Sequence, residues 1–358
     1  MDKVIIWGTA ARARMFSRLS YFNKNIDVVA VTDSSNKGSY FNNMIVSDPY
    51  DLRDVSFDKI VVCSGAFRAI HNKIQEIFEG KSITVEWFDD KLDKFKERII
   101  DLYKDTNDAE IKFFIEYLKS NPFNIMGPYK GESTMDEVLY DEDGDPYIIL
   151  EEKRLYYPKD FEFVKKDGKN YISDVLSEQS SNSPHLYCTK EHGVYEGDVL
   201  VDAGTCEGNF ALRYADIASK IYLIESSDRW LHPLSKTFRP YKDKVVLCNK
   251  FIGRYNSPAT ITLDELVPTD KVDFIKMDIE GAEIDAILGA REVLTRSNSK
   301  LSVCSYHKEN DAENIRFLLN AMNYKTGVSK GYMFFIWDEG IFETMDFRRG
   351  IVYARKKS

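Results

Sequence analysis

The run Asp202-Ala203-Gly204-Thr205-Cys206-Glu207-Gly208 closes an apolar stretch, VLVDAG, with a short glycine turn. A dinucleotide loop spaces its glycines at positions one, three and six, so that bare backbone can approach a pyrophosphate. Here Cys206 stands where that bare backbone would be needed. Asp202, at the mouth of the turn, repels a phosphate and attracts an ammonium or a sulfonium. The next apolar run, KIYLIE, ends in Glu225, a residue suited to a bidentate grip on ribose hydroxyls. The one after it, KVVLCN, ends at Asn249 and Lys250. A glycine in a strand-to-helix turn is structural when taken alone. The joint pattern describes S-adenosyl-L-methionine, with its amino-acid moiety near Asp202 and Gly204, ribose at Glu225 and adenine near Asn249 and Lys250. Gly208 completes the loop.

DFIKMD then leads into DIEGAE (278–283). Acids in a helix's first turn favour the helix dipole, which accounts for Glu283. Asp278 differs, because it sits at a strand end, where the transferred methyl is expected. It could hold the cofactor amine, orient the acceptor, or join Glu280 on a hard divalent ion; the reading adopted here uses no metal. Methyl transfer to a hydroxyl needs in-line alignment and a base for the proton. His307 ranks first as that base, since it follows a strand on the ligand side; His185, in the polar SPH turn, ranks second. Arg348 and Arg349 either grip an anionic acceptor group or form a solvated turn.

Ligands of open parallel sheets sit beyond the carboxyl ends of the strands, so these residues require an α/β scaffold. Residues 196–358 supply it, with strands at 199–204, 220–225, 244–249, 273–278 and 301–306, and a final antiparallel pair at 331–337 and 350–356. Asn310 and Glu313 have capping-box spacing for the helix after 306. Residues 1–90 alternate in the same way, with strands at 3–7, 28–33, 59–64 and 83–88. Their turn, WGTAARARMF, keeps only Gly8, with Ala10 and Ala13 at the other glycine positions, which argues against tight NAD binding. Residues 91–195 read as a helical linker and a β-hairpin lid. Helical runs fall at 95–103 and 111–118, and hairpins around Asp143-Gly144 and Asp167-Gly168. DEDGD (141–145) lacks the spacing and closing Glu of a calcium loop.

The chain has 358 residues and a formal net charge of −9, which disfavours a nucleic-acid partner held by phosphate neutralisation. Its five cysteines are scattered, with no CxxC pair, so neither a disulfide framework nor a thiolate zinc site is expected. No run of 18 apolar residues occurs, so no membrane span is expected, and a cytoplasmic location is the default.

VLVDAGTCEGNFAL, IYLIESSD and FIKMDIEGAEIDAILGA resemble the strand motifs of FkbM-type S-adenosylmethionine-dependent methyltransferases. The resemblance runs from residue 171 to the end. It implies a seven-stranded, class I methyltransferase Rossmann-like sheet with an antiparallel final strand, and O-methylation of a small hydroxylated molecule. The first 90 residues are similar to small Rossmann-like domains found beside sugar-modifying transferases. That implies a sugar or nucleotide-linked sugar acceptor in polysaccharide biosynthesis, the domain itself either binding the nucleotide-linked substrate or supporting dimerisation. The alternatives are an NAD-dependent nucleotide-sugar oxidoreductase and a non-catalytic scaffold.

Overall fold

The structure is a computed structural model, and it describes residues 1–18, 25–129, 137–164, 171–338 and 340–357. These fall into two compact units, one of residues 1–124 with 336–345, the other of residues 125–163, 171–335 and 346–357. No described helix is long and apolar enough to cross a membrane.

The first unit is built on β1 (Asp2–Trp7), β2 (Ile26–Thr32), β3 (Tyr40–Phe41), β4 (Met44–Ser47), β5 (Lys59–Val62) and β6 (Thr84–Trp87), in the order β3-β4-β2-β1-β5-β6. All pairs are parallel except β3 with β4. The central strands are nearly continuous apolar runs because helices cover both faces of such sheets. The helix Phe67–Ile77 lays Ile70, Ile74 and Ile77 over Ile5, Trp7 and Ile60. The four expected strands are present. The β3–β4 hairpin was not anticipated, although its two-residue turn, Asn42-Asn43, is a recognisable signal: both residues are left-handed, and asparagine tolerates that conformation. The helices Leu92–Tyr103 and Ala109–Ser120 also belong to this unit, the second capped by the Asp108 carboxylate on the Glu110 and Ile111 N–H groups. At the degenerate turn, Gly8 has φ +117, and a Cβ there would lie 2.6 Å from the Cys63 carbonyl oxygen. Asp33, just after β2, where a dinucleotide fold would place its ribose-binding acid, accepts from Thr9 Oγ1 at 2.8 Å and Ser35 N at 2.9 Å.

The second unit begins with a three-stranded antiparallel ribbon, β7 (Leu139–Tyr140), β8 (Pro146–Leu150) and β9 (Lys153–Tyr156). Gly144, at φ +75, lies in the first turn, as the hairpin reading requires. Asp141, Asp143 and Asp145 all face Lys236 Nζ, so an ammonium bridges the three carboxylates of this turn. The main sheet comprises β10 (Val199–Ala203), β11 (Lys220–Ile224), β12 (Val245–Cys248), β15 (Phe274–Met277), β16 (Lys300–Cys304), β17 (Tyr324–Val328) and β18 (Ile351–Lys356). The short pair β13 (Phe251–Ile252) and β14 (Thr260–Ile261) stands apart. Strand order in the main sheet is β12-β11-β10-β15-β16-β18-β17, with β18 antiparallel to both neighbours. This is a Rossmann-like sheet. Alternate side chains face opposite layers. Leu200, Ile221 and Leu223 pack with Phe210 and Leu234, while Val201, Tyr222 and Ile275 pack with Ile287, Leu294 and Ile315. The order reverses between β10 and β15, which opens the crevice there.

Three local expectations fail. Residues 331–337 form no strand; only Met333 bridges, to Arg348, and β17 takes the place beside β18. Their apolar run is spent on burying Met333, Phe334 and Ile336 as an irregular segment, which a hydropathy pattern cannot distinguish from a strand. The turn Asp167-Gly168 lies outside the described residues, and the segment expected to return from it is instead the helix Tyr171–Ser177. Asn310 makes no side-chain cap, because its φ of +61 turns the side chain away; the Asp311 carboxylate accepts from Lys308 N at 2.8 Å instead.

Candidate cofactor and acceptor site

A cavity of about 450 Å³ opens at the carboxyl ends of β10, β11 and β15, within the size range of small-molecule sites. Its floor is the turn after β10. Gly204 has φ +75, and a Cβ there would lie 1.8 Å from the Asp278 carbonyl oxygen. Only glycine lets the two strand ends approach so closely. Gly208, at φ +85, is crowded by Leu234 and Phe238 and serves packing; it does not line the cavity. Cys206 and Glu280 line it from facing loops at φ +50 and +55, conformations that cost a non-glycine residue about 1–2 kcal/mol each. Thr205 Oγ1 pins the turn by donating to the Asp202 carbonyl at 2.8 Å and accepting from Ile224 N at 3.1 Å.

Glu225 stands at the end of β11 in the cavity wall. Cys206 N donates to its Oε2 at 2.9 Å and Ser227 N to its Oε1 at 2.8 Å. Each carboxylate oxygen can accept a second hydrogen bond. Ile252 and Trp230 give the cavity an apolar wall, and Lys250 lines it too. Asn249 does not; it donates to Asp228 Oδ1 at 2.9 Å.

Asp202 is wholly buried behind the cavity, not at its mouth. The cation it attracts is internal. Lys276 Nζ lies 3.0 Å from Asp202 Oδ1 and donates to the Gly204 carbonyl at 2.5 Å. Burial opposes the charge on Lys276, but Asp202 and Asp278 outweigh it and hold the ammonium above its ordinary range. Burial pushes the Asp202 carboxyl upward against the pull of Lys276. The signal for this pair was a lysine in the middle of an apolar strand, FIKMD.

The other wall centres on Asp278. Tyr187 OH donates to Oδ2 at 2.7 Å and Tyr306 OH to Oδ1 at 3.2 Å. His185 Nε2 lies 3.5 Å from Oδ2, with its Nδ1 3.4 Å from Glu178 Oε2. His307 Nε2 lies 3.4 Å from Oδ1, with its Nδ1 3.0 Å from Glu283 Oε1. Asp278 and His185 line the cavity, whereas His307 is buried behind Asp278 and does not. Burial opposes protonation of His185, but Asp278 and Glu178 outweigh it and lift its pKa to about 9. Burial also opposes the Asp278 charge; His185, Lys276 and His307 nevertheless keep that carboxyl well below its usual range. Glu207, a buried carboxyl of the turn, also faces the cavity, and burial raises its pKa. Arg348 is buried and committed to Asp346 and to the Tyr306 and His307 carbonyls; Arg349 donates to the Gly331 carbonyl and stacks on Tyr332. Both arginines therefore brace the fold. Tyr187, Tyr306, Glu178, Lys276 and Glu207 are site residues that the sequence reading missed.

A histidine whose pKa is raised on folding stabilises the native state fully below its unfolded value, and that stability fades as pH rises through the folded value. Thermal unfolding is therefore expected to show a falling midpoint between about pH 6.5 and 9, with a flatter profile for His185→Gln. Equal slopes for the two proteins would contradict a charged native His185.

Residues 202–326 match the family described as methyltransferase FkbM domain, and residues 1–83 match the family described as C2185-like, N-terminal. No curated protein matches. Similar solved structures include methyltransferase FkbM from Methylobacillus flagellatus, 15% identical, covering 99% of this chain and 90% of that one, at a TM-score of 0.40. A precorrin-6y C5,15-methyltransferase from Geobacter metallireducens is 13% identical, covering 46% and 83%, at 0.32. A SAM-dependent methyltransferase from Aquifex aeolicus is 15% identical, covering 46% and 86%, at 0.31. Likeness at these TM-scores adds no weight to the family matches. The chain is thus similar over residues 202–326 to methyltransferase FkbM domains, and over residues 1–83 to C2185-like N-terminal regions.

Proposed function

We propose that the protein is an S-adenosyl-L-methionine-dependent O-methyltransferase acting on a small polyhydroxylated acceptor, a sugar or glycan precursor. The observation that carries this reading is Glu225, fixed by two backbone N–H groups at a strand end, facing a cavity beside a glycine turn. Its remaining acceptor capacity suits two ribose hydroxyls, and Ile252, Trp230 and Lys250 suit the flanks of the base. The lining carboxyl groups Glu178, Glu207, Glu225, Asp278 and Glu280 outnumber the cations Lys250, Lys276 and His185, which suits a positively charged ligand. The bound cofactor supplies a methyl group on a sulfonium sulfur.

Asp202 acts through Lys276, which tethers the Gly204 carbonyl. His185 accepts the acceptor's proton. Asp278 and Glu178 favour its imidazolium form, and a second positive charge nearby disfavours that form, so a sulfonium beside His185 would return it toward the neutral form that a base needs. Asp278 orients it. The helix Tyr171–Ser177, whose Tyr171 and Val175 line the cavity, serves as a cover. Carboxylates in the lining, with Arg348 and Arg349 already committed, favour an uncharged hydroxylated acceptor over a phosphorylated one.

Calorimetric titration with S-adenosylhomocysteine tests the reading. Micromolar binding is expected, weakened about tenfold to a hundredfold by Glu225→Gln, the loss expected for hydrogen bonds to a charged group. NAD is the contrast ligand. Absence of binding by the wild-type protein would sink the methyltransferase reading, and NAD binding in its place would favour the oxidoreductase.

A further inference from the structure

Five side chains form a row of alternating formal charge across the site. The order is Glu178, His185, Asp278, His307, Glu283, with successive contacts of 3.4, 3.5, 3.4 and 3.0 Å. The two Asp278 oxygens are divided, Oδ2 toward His185 and Oδ1 toward His307. The row has one working end and one sealed end. His185 faces the cavity, whereas His307 and Glu283 are buried, with Glu283 only 1% exposed. A carboxylate so deep needs a cation or a set of donors. Glu283 Oε1 accepts from Ile279 N at 3.0 Å; its Oε2 and both His307 ring nitrogens make no hydrogen bond among the described residues, and His307 is the ionisable base at ion-pair distance.

We propose that His307 and Glu283 form a buried positioning pair that acts through Asp278 to set how firmly His185 holds its proton. The pair is neutral as a whole, but its positive member lies against Asp278. His307 thus competes with His185 for one carboxylate and keeps that carboxylate from binding the His185 proton too tightly for a base. Tyr187 and Tyr306 hold the carboxylate in the dividing orientation, one hydroxyl on each oxygen. The other groups facing His185 are Glu178, Tyr187, Tyr306 and Cys304 Sγ at 3.4 Å. Those facing His307 are Glu280 at 3.8 Å, Tyr306 and Phe335, with Asp311 contributing charge nearby. Among them only His307 brings positive charge to Oδ1. Burial opposes its charge, while Glu283, Asp278 and Glu280 raise its pKa. The inference rests on reading His185 as the cavity's base, but its test needs neither cofactor nor acceptor.

Nitrogen-15 NMR of the five imidazole rings, assigned with His185→Gln and His307→Gln, reads each protonation state directly. In wild-type protein at pH 7, both ring nitrogens of His307 are expected to carry protons. In His307→Gln, the His185 midpoint is expected to rise by about one pH unit, since Asp278 then faces no second imidazolium and keeps only Lys276 as a competing cation. Glu283→Gln discharges His307 and is expected to act in the same direction. Asp278→Asn removes the shared partner and lowers the midpoint. A purely structural role predicts the opposite for His307→Gln and Glu283→Gln, because loosening the site lets water reach His185 and returns it toward 6.5. A neutral His307 in the wild type overturns the proposal even if both variants fail to fold. So does a midpoint that stays or falls in either variant. Coupled titration in a protein that binds no S-adenosylhomocysteine would leave the pairing intact and defeat the functional reading instead.

Discussion

Lys276→Met is expected to cost about 3–5 kcal/mol of folding stability, the range for removing one partner of a buried ion pair. Its partner Asp202 is wholly buried, 3.0 Å from the ammonium, and Asp278 loses one of the three cations that hold its charge. The Gly204 carbonyl also loses the Nζ donor, so the turn that forms the cavity floor loosens. Urea denaturation at pH 7 measures the loss. The double variant Lys276→Met with Asp202→Asn is expected to lose less than the single one, since no stranded charge remains. A single-variant loss below about 1 kcal/mol, within the range of an exposed pair, would show that the pair is hydrated and carries little.

Gly204→Ala is expected to cost more than about 3 kcal/mol and to abolish nucleoside binding. Two independent terms act in the same direction. The residue sits at φ +75, which strains any side chain. The added Cβ would lie 1.8 Å from the Asp278 carbonyl oxygen and 2.8 Å from its carbon, so main chain must part from main chain. That separation moves Asp278 away from Tyr187 and His185 and reopens the switch point between β10 and β15. Gly327→Ala is the control. It lies in β17, where a Cβ would meet nothing within 4 Å, and it is expected to change stability by less than about 0.5 kcal/mol. If the two variants had equal denaturation midpoints, the close approach at Gly204 would be disproved.

The strand ends were legible because parallel strands, buried on both faces, announce themselves as short apolar runs, and Gly204, Glu225 and Asp278 each terminate one. The direction in which a side chain turns was not legible. His307 does follow β16 on the expected side, yet its ring is sealed behind Asp278, and His185, ranked second, reaches the cavity. Asp202 ends its strand as expected but faces inward to Lys276 on the neighbouring strand, a pairing across the sheet that no local spacing records. Tyr187 and Tyr306 carry no local signal of their role, since a buried tyrosine reads as core. They are buried, but each sends its hydroxyl to Asp278, and an aromatic with a polar tip can do both. The segment 331–337 misled for a related reason. Burial selects apolar residues whether or not a hydrogen-bonded ladder accompanies it, whereas β17, reading YKTGV, pairs properly with one large apolar anchor, Tyr324.

Strand β18 follows β16 and β17 in the chain yet lies between them. On a ribosome, the rest of the sheet is made before the piece that joins it, and until residues 351–356 emerge, β16 shows an unpaired edge and β17 has no partner in the sheet. Exposed edges of that kind recruit other chains. Trimming these six residues would therefore remove an interior rung instead of fraying a border. Recombinant versions shortened there should be recovered as aggregates, although the lesion lies outside the glycine turn at the cavity floor.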